Sequence, residues 1–162
     1  MNPGLRNMTS VFFIREDGLL CLYRIGSRVA NGKYVGAAGG HFEPEEFTSP
    51  EACALREVKE ELDLNPEEME GLTLRYVTLR YYRGEIRQNY YFFARLKTDR
   101  ELKSNEGNLR WVTWEALKQL DMPLSARHMM DHYLAAGRYT QELYAGATEP
   151  GGTRFVKMES FD

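Results

Sequence analysis

Cysteine is scarce in this chain: only Cys21 and Cys53 occur. Two cysteines build neither a disulfide framework nor a metal-binding cysteine set, so a reducing compartment, the cytoplasm, is the expected location. Long apolar runs are missing as well. Val11-Phe12-Phe13-Ile14 is the only one near the start and is far below signal-peptide or membrane-spanning length, so no membrane partner is expected. Positive charge is not in excess. With a net charge of −3, no nucleic-acid polymer is expected as a partner, and an anionic ligand would have to be met by local Arg and Lys or by metal. Repeats, low-complexity tracts and linker-like stretches are lacking too. At 162 residues, 43% hydrophobic and 28% charged, one globular domain over residues 1-162 is expected. It is long enough to bury about two-thirds of its extended-chain surface.

What the chain does have is a concentrated acidic stretch. Gly39-Gly40-His41-Phe42-Glu43-Pro44-Glu45-Glu46 reads as a glycine turn and an acidic loop, and Ser49-Pro50-Glu51 then opens a helix. Ser49 suits the N-cap, Pro50 the first helical position and Glu51 the positive helix start. At about 100° per residue, Glu57, Glu60 and Glu61 fall within one arc. Leu55, Val58 and Leu62 form a separate stripe, the face to bury. Carboxylates this close must share a proton or a cation. Magnesium and manganese bind carboxylate oxygens and keep positions open for water and phosphate, so a divalent-metal site is one reading. A merely solvated acidic face is the other.

These residues resemble the Nudix hydrolase signature. Gly40 and Glu46 fit its first part, and Arg56-Glu57-Val58-Lys59-Glu60-Glu61 fits its R-E-U-x-E-E core, where U is bulky and aliphatic. Leu64 fits the last aliphatic position. The chain departs from the pattern in three places. The loop between Glu46 and Arg56 is two residues longer, so strict spacing would put Thr48 where the glutamate belongs; Asp63 replaces the usual late glycine; and Ala38 replaces the proline common before the glycine pair. An insertion, with Glu46 kept as the matching glutamate, is the preferred alignment.

The remaining elements follow from turn signals and periodicity. Strands are expected at about Thr9–Arg15 and Leu19–Arg24 around Asp17-Gly18, and a short one at Tyr34–Ala38. Ile25–Lys33 is expected to be a loop, and Leu72–Tyr82 and Ile86–Leu96 a hairpin around Arg83-Gly84-Glu85. Polar Lys97–Asn108 then leads to a strand at Leu109–Val112 and a helix at Trp114–Leu120. Pro123–Ala136 reads as a helix with Leu124, His128, Met129, Tyr133 and Leu134 as inward candidates and Gly137 as C-cap. Tyr139–Tyr144 and Thr153–Met158 suggest a final hairpin. His128 and His132 have the spacing of a zinc pair but lack partners at matching spacing, so packing or surface roles are favoured. Cys53 lies on the acidic side of the helix, and a packing role is favoured over a reactive thiol.

The order of these elements indicates an α+β domain. The resemblance implies the Nudix fold, a mixed β-sheet sandwiched between α-helices with a loop-helix-loop catalytic motif. It also implies metal-dependent hydrolysis of a nucleoside diphosphate linked to a further moiety. Glu57, Glu60 and Glu61 would hold Mg2+ or Mn2+, with the Gly39 or Gly40 carbonyl as a further ligand. Glu60 or Glu106 would serve as base, Arg56 would orient the carboxylates and Glu46 would support the loop. Arg24, Arg28 and Lys33 are candidates for the substrate phosphates, Arg24 first, with solvated loop charge as the alternative for each. Size and layout point to a nucleoside triphosphate pyrophosphohydrolase of the 8-oxo-dGTP type. ADP-ribose, nucleotide-sugar or dinucleotide pyrophosphatases and a catalytically silent nucleotide sensor are the alternatives. The small-molecule nucleotide would be the partner of a monomer or homodimer.

Overall fold

An apolar run without alternation marks a strand buried on both faces. Val11, Phe12 and Phe13 are each 0% exposed, in the strand β1 (Gly4–Arg15). The computed structural model, which describes residues 2–26 and 30–159, shows what covers each side. Val11 and Phe13 join Ala54, Val58 and Leu62 of helix α1 (Pro50–Leu62) in one apolar cluster. Phe12 joins Met129, Met130 and Tyr133 of helix α3 (Leu124–Ala135) in another. The two helices therefore sandwich the sheet, as the α+β expectation requires.

Nine further strands are described: β2 (Gly18–Arg24), β3 (Tyr34–Gly36), β4 (Ala38–His41), β5 (Met69–Tyr82), β6 (Glu85–Leu96), β7 (Gly107–Thr113), β8 (Leu143–Glu149), β9 (Gly152–Thr153) and β10 (Val156–Met158). The main path runs β10-β8-β5-β6-β1-β2-β3, with β4 on β1, β7 on β2 and β9 on β8. Pairs β1–β6 and β5–β8 are parallel and the other pairs antiparallel, so the sheet is mixed. The hairpins predicted around Asp17-Gly18 and Arg83-Gly84 form. Arg83 and Gly84 between β5 and β6 have φ of 51° and 78°, the double positive φ that suits the twist of a tight hairpin.

Tertiary contacts move several expected boundaries. β1 begins at Gly4, well before Thr9, because β6 pairs with it from Gly4↔Glu85 onward. The single strand expected over Tyr34–Ala38 is two: β3 pairs with β2, and β4 carries on to His41 against β1. Helix α2 (Trp114–Leu117) ends sooner than expected. The C-terminal strand is displaced: Gly137–Tyr139 is a 3-10 turn, and the chain enters the sheet only at Leu143, alongside β5. Gly137 does not cap α3 in a left-handed conformation. It is needed for a close approach instead, since a Cβ there would lie 1.9 Å from the Tyr76 hydroxyl. The inward residues of α3 are Ser125, Ala126, Met129, Met130 and Tyr133; Leu124, His128 and Leu134 are only partly covered. No helix among the described residues is long and apolar enough to cross a membrane.

Candidate active site

Helix α1 starts as its sequence suggests and stops at Leu62, ahead of the Asn65-Pro66 pair that the sequence offers as its end. The Ser49 hydroxyl accepts the Ala52 N–H, Pro50 begins the helix, and Asp63 ends it at φ 51° and ψ 41°. That left-handed conformation explains the late glycine of the Nudix pattern; aspartate is among the residues that tolerate it. The Asp63 N–H closes on the Lys59 carbonyl, and Lys59 Nζ lies 2.5 Å from the Asp63 carboxylate.

The glycine pair brings α1 against the sheet. β4 runs beside β1 with Gly39 opposite Ser10 and Gly40 opposite Thr9. A Cβ on Gly39 would sit 2.2 Å from the Thr9 carbonyl oxygen, and one on Gly40 would sit 2.3 Å from Glu57 Oε1. Gly40 is thus the absence of a side chain that lets the Glu57 carboxylate reach the sheet. Its carbonyl, expected as a metal ligand, faces Cys53 Sγ at 3.8 Å.

The acidic face of α1 is therefore not a solvated surface. Glu57 is buried and Glu61 half-buried, and Glu61 accepts the Gly39 N–H at 3.2 Å. Burial and the Glu57 charge push the Glu61 carboxyl up to about 8, and burial raises Glu57 too, against the pull of Arg56. The two carboxyls stand one turn apart on the same face of α1. This is the signature of two acids that cannot both ionise unless a cation joins them. Glu60, the third carboxylate of the expected trio, points elsewhere: its side chain is 57% exposed and takes Arg56 Nη1 at 3.1 Å. Among the described residues no three acidic, histidine or cysteine side chains converge as a ready-made metal cage. The Glu57–Glu61 pair nonetheless fits a hard divalent cation, because its oxygens are ionisable, adjacent and in want of positive charge.

Arg56 is the hub behind this pair. It donates to Glu46 from Nε and Nη2 at 3.1 and 2.9 Å, to Glu57 at 2.9 Å, to Glu60, and to the His41 carbonyl at 3.0 Å. Glu46 is 5% exposed, and the guanidinium holds its carboxyl below the ordinary value. Glu46 also accepts the Glu43 N–H in a reciprocal capping box around a 3-10 turn at Pro44–Glu46. The two extra loop residues bulge outward, with Phe47 and Thr48 both exposed, so Glu46 rather than Thr48 meets Arg56. Cys53, one turn before Glu57, is fully buried and touches Thr9 Oγ1 at 3.4 Å; burial pushes its thiol up to about 11. An inert packing residue is the result.

Two adjoining depressions meet at this point and share Met8, Arg24, Gly39, Gly40, Glu61 and Glu106. The outer one, about 400 Å³, is walled by Glu57, Arg56 and Glu43; the inner one, about 130 Å³, runs under Ser125 and Ala126 of α3. Glu106 arrives from the turn before β7 and lies 3.4 Å from Arg24 Nη2. Lys33 does not reach the cleft: its Nζ is paired with Asp121 at 2.9 Å. Arg28 lies outside the described residues. His128 and His132 do not act together either, since one bonds Thr153 Oγ1 at 2.9 Å and the other the Tyr76 hydroxyl at 2.7 Å. Sequence reasoning missed Arg6, Arg80, Arg87 and Asn89 on the inner wall. Their sequence signal is basic and polar residues within apolar strands; only the register shows that they share one face.

A mixed sheet between helices, carrying a loop-helix-loop whose paired carboxylates face a cleft, defines a fold class. The comparisons with known proteins name it. Residues 4–133 match the family described as NUDIX domain. The chain belongs to the Nudix family, hydrolases acting on pyrophosphate bonds. Among solved structures it is similar to a mutator MutT protein from Bacillus halodurans (20% identity, 93% of this chain and 97% of that one, TM-score 0.66). It is also similar to a MutT protein from Methanosarcina mazei Go1 (19%, 82% and 95%, TM-score 0.68) and to a C. elegans Ap4A hydrolase (16%, 80% and 96%, TM-score 0.65). At such identities these likenesses concern the fold. No curated protein sequence matches the chain.

Proposed function

We propose that the chain is a divalent-metal-dependent pyrophosphohydrolase of nucleoside diphosphate-X compounds, with nucleoside triphosphates as the first substrate class. The observation that carries this reading is the Glu57–Glu61 carboxyl pair: Glu57 packs on Gly40, Glu61 takes the Gly39 N–H, and both face the same cleft as Glu106 and Arg24. The single-domain layout and the extent of the similarity to MutT structures support the substrate class.

Glu57 and Glu61 hold the metal in this reading. Glu60, exposed at the rim and free to trade its Arg56 contact, is the third proposed ligand. Bound magnesium or manganese neutralises phosphate charge and lowers the pKa of an attacking water. Glu106 takes the proton of that water, because it lies on the cleft wall whereas Glu60 does not. Arg24, beside Glu106, positions a phosphate oxygen. Arg56 and Glu46 hold the helix face in register and do not touch substrate. Hydrolysis of a panel of canonical and oxidised deoxynucleoside triphosphates, ADP-ribose, a nucleotide sugar and a dinucleoside polyphosphate, each with magnesium, manganese or EDTA, tests this. Metal-dependent release of a nucleoside monophosphate is expected. Tight nucleotide binding without turnover would instead make the chain a sensor.

A further inference from the structure

Three arginines stand side by side on one face of the sheet. The register places Arg6 of β1 opposite Arg87 of β6, and Arg87 opposite Arg80 of β5. Cross-strand neighbours sit about 5 Å apart, and like charges so placed destabilise a sheet. Their only carboxylate partner among the described residues is Glu85, 3.0 Å from Arg6 Nη2 and 3.5 Å from Arg87 Nε. Arg80 has no acidic partner there; it and Arg87 lean on the Tyr82 ring, 4.5 and 4.9 Å from its centre. All three line the inner cavity with Arg24 and Asn89. Arg87 Nε and Arg24 Nε are buried with no hydrogen-bond acceptor among the described residues.

The row is separate from the acidic pair. Gly40, against which Glu57 packs, is opposite Thr9, and Arg6 lies three residues further along β1, about 10 Å at strand rise. One cavity therefore offers carboxylates at one end and, at the other, three guanidinium groups with a single carboxylate partner, Glu85, among the described residues. Guanidinium donors in this arrangement match phosphate oxygens.

We propose that Arg6, Arg87 and Arg80 form a second anion subsite, which holds a phosphate group set apart from the anhydride bond that is cleaved. Resting on the hydrolase reading above, this makes the preferred substrate one that carries more phosphate than the scissile link itself. That phosphate is either a monoester on the sugar or part of a longer polyphosphate chain.

Two matched pairs of compounds test it with magnesium present: ADP-ribose against its phosphomonoester on the adenosine ribose, and diadenosine diphosphate against diadenosine tetraphosphate. The added phosphate is expected to raise kcat/KM on the order of tenfold, chiefly through KM, in one pair. The ribose pair would identify a monoester, the diadenosine pair an extended chain. In the double variant Arg80→Gln/Arg87→Gln that preference is expected to disappear, with the melting temperature unchanged or higher because like charges are relieved. A second readout is calorimetric binding of inorganic tripolyphosphate in EDTA, expected to weaken on the order of tenfold in the variant. Equal kcat/KM within both pairs, in wild type and variant alike, overturns the subsite and leaves the hydrolase. Absence of all hydrolysis, with tripolyphosphate binding that still depends on Arg80 and Arg87, overturns the hydrolase reading and keeps the subsite.

Discussion

Arg56→Met is the most informative single change behind the carboxyl pair. The side chain is 22% exposed and its main partner, Glu46, only 6% exposed, so the substitution strands a carboxylate that water reaches poorly. Breaking one side of a buried ion pair costs about 3–5 kcal/mol, against about 0–1 for a surface pair. The partial exposure of Arg56 places the expected loss near the bottom of the buried range, about 3 kcal/mol. For a chain of this size that lowers the melting temperature by roughly 6–12 °C. Two further variants separate the pair from general disruption. Glu46→Leu should itself destabilise, because it removes the main partner of the guanidinium and breaks the Glu43 cap. The double variant should cost clearly less than the sum, with a coupling on the order of 1–3 kcal/mol. Chemical denaturation with a two-state fit reads all three values. A loss below about 1 kcal/mol for Arg56→Met, or strict additivity, would show that the hub is surface decoration and that another contact holds the loop to α1.

The remaining predictions concern the cleft. The Glu61 carboxyl, raised to about 8 from an ordinary 4.5, favours the folded state while protonated. In EDTA the melting temperature should therefore fall as pH rises between about 5 and 9, and Glu61→Gln should flatten that slope; a flat wild-type profile would refute the shared proton. Gly40→Ala puts a methyl group against the Glu57 carboxylate, at an overpacking cost of about 1–3 kcal/mol. Since the far end of a side chain must yield, the fold should survive while the magnesium needed for half-maximal activity rises; an unchanged requirement removes Glu57 from the metal site. Glu106→Gln should lower kcat about 100-fold and erase the acid limb of the pH–rate profile, as loss of a general base does. Glu60→Gln should keep that limb and show itself in the magnesium dependence; the reverse pattern would exchange the two roles.

Elements with local causes are legible in the order of residues alone. Ser49-Pro50-Glu51 had to start a helix, because capping belongs to single residues. Asp17-Gly18 and Arg83-Gly84 had to turn, and Val11-Phe12-Phe13 had to be covered on both faces. The signature residues Arg56 through Glu61 were legible for the same reason: their spacing on one helix is fixed by its period. What sits opposite that helix was not legible. Only the sheet register decides that Gly40 faces Glu57, that Glu106 reaches the cleft from a distant turn and that Lys33 turns away to Asp121. The division of the three glutamates is likewise tertiary, since Arg56 claims Glu60 while β4 buries Glu57 and orders Glu61. The arginine row is the extreme case. Arg80 and Arg87 face each other across the Arg83-Gly84 turn, but Arg6 is far away along the chain, and only the parallel pairing of β1 with β6 sets it beside them.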